Sequence, residues 1–243
     1  MSQKPRVALV TGGGRRLGRA IALALAREGF HVAVNYCHAG DRARRTCREI
    51  QALGVQAFPI RADVSKAKQV DRMVDRVLSV FGHVDLLVNN AAVFRRVPFR
   101  RLTESVWDET LDLNLKGTFL CAKRVGDHML ARGQGCIVNL ASLGGIQPWV
   151  HHIPYSVSKA GVIMLTRCLA KALAPRVRVN AIAPGSIRVP GEPGAPMVPP
   201  ETVPLKAHGT PKDVADLVVY LATQAHYVTG QTWVVDGGRS LLP

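Results

Sequence analysis

Short apolar runs and longer amphipathic stretches alternate along the whole chain. Residues 6–10, 31–36, 56–61, 86–89, 136–140, 178–182 and 232–235 have the length and near-continuous hydrophobicity of strands buried on both faces. Between them, residues 17–28, 41–53, 67–81, 105–131 and 155–173 carry apolar side chains at helical spacing. This strand–helix rhythm predicts an α/β fold, a three-layer, doubly wound parallel sheet forming a single domain over residues 1–243. Residues 189–204 break the rhythm. Pro190, Pro193, Pro196, Pro199, Pro200 and Pro204 are too dense for a long helix, so this stretch reads as a loop.

Composition narrows the picture. The 243 residues are 47% hydrophobic, enough for one sizeable core. No apolar run is long enough to span a bilayer, and the N-terminus enters its first strand without a leader pattern, so a cytoplasmic protein is expected. Cys37, Cys47, Cys121, Cys136 and Cys168 are odd in number and widely spaced, which fits neither a disulfide framework nor a metal site. The net charge of +15 raises nucleic-acid binding, but the arginines are dispersed and no aromatics interleave with them. The densest clusters, at 42–45 and at Arg95, Arg96, Arg100 and Arg101, read as solvated faces or as attractors of anionic ligands.

Three features carry chemistry. Tyr155 and Lys159 stand four residues apart, one helical turn along one face. An ammonium near a phenol favours the phenolate, and a phenol so tuned can exchange a proton with a carbonyl or an alcohol. By itself the same spacing also describes an ordinary surface helix. Ser142 follows the apolar run 137–141, where a strand would deliver it. The turn from Thr11 through Gly12 and Gly18 joins a strand to a helix, the arrangement that cradles a pyrophosphate at a helix N-terminus. The second strand ends Asn35-Tyr36-Cys37-His38 with no carboxylate before Asp41. A carboxylate there would hold a 2′-hydroxyl and repel a 2′-phosphate, so its absence, with Arg15 nearby, points to NADP(H).

With these marks in order, from Val7 to Gly238, the chain resembles the short-chain dehydrogenase/reductase family, which implies a Rossmann-type sheet. The resemblance implies Asn114, Ser142, Tyr155 and Lys159 as catalytic residues, with Ser142 steadying a carbonyl oxygen and Lys159 holding the ribose and lowering the Tyr155 pKa. It implies cofactor contacts at Gly12, Arg15, Arg16, Leu17, Gly18, Tyr36, His38, Asp63, Val64, Asn89, Ala91, Pro184, Gly185 and Ile187. Arg16 replaces the family's middle glycine, and Arg188-Val189-Pro190 lacks its usual Thr, for which Ser186 can substitute. The Pro-rich stretch takes the place of the family's substrate lid. A homotetramer is implied, paired through 105–131 and 155–173, with Leu111, Val162 and Leu169 as apolar candidates.

Two substrates fit. Ser142, Tyr155 and Lys159, with 34–36 and 203–211, resemble reductases of 3-oxoacyl groups on a carrier protein. Arg16 and Phe94 resemble the pterin-binding residues of pteridine reductases, although Ser142 stands where those enzymes carry Asp. Arg16, Phe94, Ser142 and Tyr155 are the candidate substrate contacts. A regulator that binds NADPH without turning it over is the reading from another class.

Overall fold

The structure is a computed structural model that describes residues 5–191 and 198–242. Seven strands form one sheet: β1 (Val7–Val10), β2 (His31–Tyr36), β3 (Ala57–Arg61), β4 (Leu86–Asn89), β5 (Gly135–Leu140), β6 (Val177–Pro184) and β7 (Thr232–Val235). All pairs are parallel, in the order β3-β2-β1-β4-β5-β6-β7. The winding reverses between β1 and β4, which opens a crevice beyond their C-terminal ends.

The apolar runs are continuous because both faces are covered. Ala8, Val10, Val32, Val34, Leu86, Val88 and Val138 point to one layer of helices. That layer holds α1 (Arg16–Arg27), α2 (Gly40–Gln51) and α7 (Pro211–Thr223). Val7, Leu9, Ala33, Leu87 and Ile137, the alternate residues, meet the opposite layer. There α3 (Ala67–Phe81), α5 (Gly117–Arg132) and α6 (Ile153–Leu173) pack, with α4 (Glu104–Leu111) leading into α5. The central strand β1 thus reads apolar at every position, Val-Ala-Leu-Val, while serving two cores.

Three expectations change. The stretch 105–131 is two helices joined by a π-helical turn, Asp112–Lys116, with Asn114 buried at its centre. The helix Pro211–Thr223 adds to the expected set: it buries Val214, Val218 and Leu221 on one face and starts in a capping box of Thr210 and Asp213. Val162 lies in the core, fully buried against Ala141 and Ala183. Of the Pro-rich loop, 192–197 lie outside the described residues, while Pro200–Thr202 form a short 3-10 turn.

Candidate active site

A cavity of about 680 Å³ fills the crevice. Its floor begins at the end of β1. Thr11 Oγ1 donates to the Val88 carbonyl at 3.3 Å and accepts the amides of Asn90 and Ala91 at 2.9 and 3.0 Å. The Asn90 side chain donates back to the Thr11 carbonyl at 2.8 Å. These bonds fix the β1 turn to the β4 turn. Asn35 extends the clamp to β2, accepting the Gly12 amide at 3.2 Å and donating to the Ala62 carbonyl at 3.1 Å. Gly12 sits at a φ of 60°, and a Cβ on Gly18 would overlap the Gly12 carbonyl oxygen, so both positions require glycine.

Here α1 begins without a side-chain cap and without an acidic residue in its first turn. Uncapped amides at the wall of a cavity suit a bound phosphate. Arg16 holds a left-handed backbone, φ 49°, in the place where the family carries glycine. Arg15, Arg16, His38 and Lys159 all line the cavity, and none of its described lining residues is Asp or Glu. A dinucleotide's phosphates fit that charge balance.

The candidate catalytic side chains come from the end of β5 and from α6. Ser142, just beyond β5, is buried and accepts the Gly144 amide at 3.1 Å, which fixes its rotamer. Its hydroxyl is near enough to the Tyr155 phenol to favour the phenolate. Lys159 is almost fully buried and donates to the Leu140 carbonyl at 2.6 Å. Burial pushes its ammonium down to about 8. Tyr155 departs from the expectation: its phenol stands above the usual value because burial disfavours the phenolate, and the neighbouring Ser142 hydroxyl offsets this only in part. The Lys159 Nζ lies 5.7 Å from the Tyr155 ring centre and leans on the strand carbonyl instead.

Most of the residues singled out in the sequence converge on this cavity: Gly12, Arg15, Arg16, Leu17, Gly18, Tyr36, His38, Val64, Ala91, Phe94, Ser142, Tyr155, Lys159, Pro184, Gly185 and Ile187. Three are absent from the lining. Asp63 Oδ1 accepts the amide and hydroxyl of Ser65 at 2.9 and 2.8 Å, so it shapes the turn that presents Val64. Asn89 is buried between strands and donates to Asn139 Oδ1 at 2.9 Å. Asn114 ties the π-turn to its surroundings, accepting the Val93 amide at 2.8 Å and donating to the Val93 carbonyl and Ser158 Oγ at 3.0 and 3.1 Å. Ser158 Oγ donates in turn to the Tyr155 carbonyl at 2.7 Å, so Asn114 positions both the Phe94 loop and the start of α6.

Trp149 joins the site without a sequence signal. Its ring lies nearly parallel to Tyr155, 6.2 Å between centres and 10° between planes. Gly144 makes room for it, since a Cβ there would meet the indole at 2.7 Å. Phe94 packs edge-on against Tyr155 at 4.6 Å and stacks on His152 at 4.3 Å. His152 is held by the Arg95 carbonyl at 2.8 Å. One wall of the cavity is therefore aromatic, facing the polar Ser142.

Known proteins resemble this chain in sequence and in fold. Residues 13–240 match the family model described as Enoyl-(Acyl carrier protein) reductase. A 3-oxoacyl-acyl-carrier-protein reductase of Staphylococcus epidermidis is 44% identical over 239 residues, 95% of this chain and 97% of that protein. A 3beta-hydroxysteroid dehydrogenase of Eggerthella lenta is 41% identical over 99% of this chain and 95% of its own. Among solved structures, acetoin dehydrogenase from Salmonella typhimurium superposes with a TM-score of 0.90 at 30% identity, covering 98% of this chain and 97% of that one. An NAD+-bound xylitol dehydrogenase gives a TM-score of 0.90 at 28% identity, covering 98% of this chain and 100% of its own. Shared over nearly its whole length with these proteins, the sequence and the seven-stranded fold show that the chain belongs to the short-chain dehydrogenase/reductase family.

Proposed function

We propose that this oxidoreductase uses NADP(H) to reduce a ketone of the 3-oxoacyl-thioester type. The observation that carries the reading is the meeting of Ser142, Tyr155 and Lys159 in a cavity whose described lining is basic and free of carboxylates. The reductases at 42–44% identity that are named for 3-oxoacyl carrier-protein substrates support the substrate class.

NADPH supplies the hydride when bound. Arg15 and His38, which line the cavity, would hold the 2′-phosphate, and the α1 N-terminus with Arg16 would hold the pyrophosphate. Ser142 donates to the carbonyl oxygen and orients it towards Tyr155. Tyr155 gives its hydroxyl proton to that oxygen as negative charge develops there. A phenol held above its usual pKa is protonated at neutral pH and ready to donate. Lys159 would hold the nicotinamide ribose and keep a positive charge near the forming alkoxide.

Phe94 and Arg16 share the cavity with Tyr155, which supports the pterin reading as the second one. One assay separates the two. NADPH oxidation is followed with a short 3-oxoacyl thioester and with dihydrobiopterin, and then repeated with NADH. Thioester turnover with NADPH preferred in kcat/KM is expected. Pterin turnover alone would overturn the substrate, equal use of NADH would overturn the cofactor, and no turnover on any carbonyl would favour a binding protein. Arg15→Ala should lower kcat/KM for NADPH more than for NADH.

A further inference from the structure

The lip of the cavity carries charge that the chemistry inside does not use. Residues 94–101 contain four arginines and no carboxylate. Arg95 is paired with Glu109 at 2.6 Å. Arg96, Arg100 and Arg101 are exposed, and no carboxylate among the described residues stands within ion-pair distance of them. Phe99 and Val150 are 74% and 71% exposed beside them.

This surface is built rather than loose. The Val97 amide donates to the His151 carbonyl at 2.8 Å, and His152 Nδ1 meets the Arg95 carbonyl at 2.8 Å, so segments 94–98 and 149–152 are laced together. A 3-10 turn, Phe99–Arg101, presents two of the arginines, and the Thr103 cap of α4 closes the segment. Phe94 and Trp149, at the inner edge of the same two segments, line the cavity. Basic charge, exposed apolar side chains and the cavity mouth are thus continuous.

Three neighbouring guanidiniums without a counter-charge repel one another, and a carboxylate-rich partner relieves that repulsion through strong charge-assisted hydrogen bonds. Exposed aromatic and arginine side chains together are the composition of a protein interface. We propose that Arg96, Arg100 and Arg101, with Phe99 and Val150, form the docking surface for an acidic carrier domain that presents its acyl thioester, on a flexible arm, to the adjacent cavity. This rests on the thioester reading above. A nucleic acid would meet the arginines equally well but makes no use of a route into the cavity.

The test compares one acyl group in two forms: on an acidic carrier protein and on a small soluble thiol. The triple variant Arg96→Glu/Arg100→Glu/Arg101→Glu is compared with wild type at low and high salt. Electrostatic steering of this kind changes association by about 10- to 1000-fold. We expect kcat/KM for the carrier-bound substrate to fall at least tenfold in the variant and in high salt, with the soluble thioester unchanged. Equal rates on the carrier-bound substrate in variant and wild type would overturn the proposal, as would parallel losses on both substrates. The milder Arg→Gln triple variant guards against a folding defect and should give an intermediate loss. If wild type turns over neither thioester, the functional reading fails by itself, and carrier binding measured directly decides the surface. Binding abolished by the charge reversal supports it, whereas no binding, or preferential binding of an oligonucleotide, overturns it.

Discussion

Tyr155 and Lys159 show how burial and chemistry are coupled at single residues. Replacing Tyr155 by Phe keeps the ring between Phe94 and Trp149 and removes the proton, so cofactor binding should persist while kcat drops by about 10²–10⁴-fold. Activity within a few-fold of wild type would remove Tyr155 from the proton-donor role. Lys159 makes a separate prediction about stability. Its folded pKa is depressed to about 8 from 10.5. Between those two values the unfolded chain binds the extra proton, so this group's contribution to folding stability rises with pH across that window and is unfavourable below it. Melting temperatures of wild type and Lys159→Met, compared from pH 7 to pH 10, should show wild type gaining on the variant as pH rises. A difference independent of pH would mean that Lys159 keeps an ordinary pKa. The two residues are readable as a pair from their spacing; the direction of the Tyr155 shift is not, because spacing says nothing about how much water remains around a hydroxyl.

At the scale of elements, strands are the most legible because burial on both faces writes itself as short, largely apolar runs, unbroken in β1. The stretch 105–131 reads as one continuous helix because Leu111, Leu115 and Leu120 keep an apolar recurrence through the π-turn. The extra residue of that turn leaves no mark in composition; in the fold it coincides with the clamp of Asn114 on Val93. The signals of helix Pro211–Thr223 are present but short: Thr210, Pro211 and Asp213 make a start signature, with Val214, Val218 and Leu221 at helical spacing. Next to the proline-dense stretch they are easily passed over. Trp149 is hidden because it sits in an irregular turn, where no periodicity marks a side chain as inward. Asp63 and Asn89 match a motif, yet their polar atoms are spent on Ser65 and Asn139. The cap of α7 gives a prediction at this level. Thr210→Ala removes one half of the reciprocal box and should cost about 1 kcal/mol in denaturant unfolding, with kcat unchanged because the cap lies outside the cavity lining. No loss of stability would show that Asp213 alone satisfies the helix end.

At the scale of the whole molecule, the faces of α5 and α6 turned away from the sheet carry exposed apolar side chains. Phe119 and Met164 are 43% and 56% exposed, and Leu111, Leu115, Phe119 and Leu165 line a shallow hollow. Apolar surface of this kind on paired helices suits self-association. We therefore expect a homotetramer, or a dimer at minimum, by light scattering at micromolar concentration, and Phe119→Glu should shift it towards smaller species. A stable wild-type monomer would contradict this. The sequence points to these helices but to the wrong residue in Val162, since helical periodicity marks apolar positions without saying which of two apolar faces meets the sheet. The parallel sheet has one further consequence, for handling the protein. All seven strands end at the edge that carries the cavity, so every turn that leads back into a strand lies at the far edge. There Gly29, Gly54 and Gly82 have open space around them, and a Cβ added at any of the three would meet nothing within 4 Å. Those turns are natural anchor points. A peptide tag, a fluorophore or a solid support grafted at the exposed turn after Leu53 would hold the molecule with its cavity and its arginine lip facing outward.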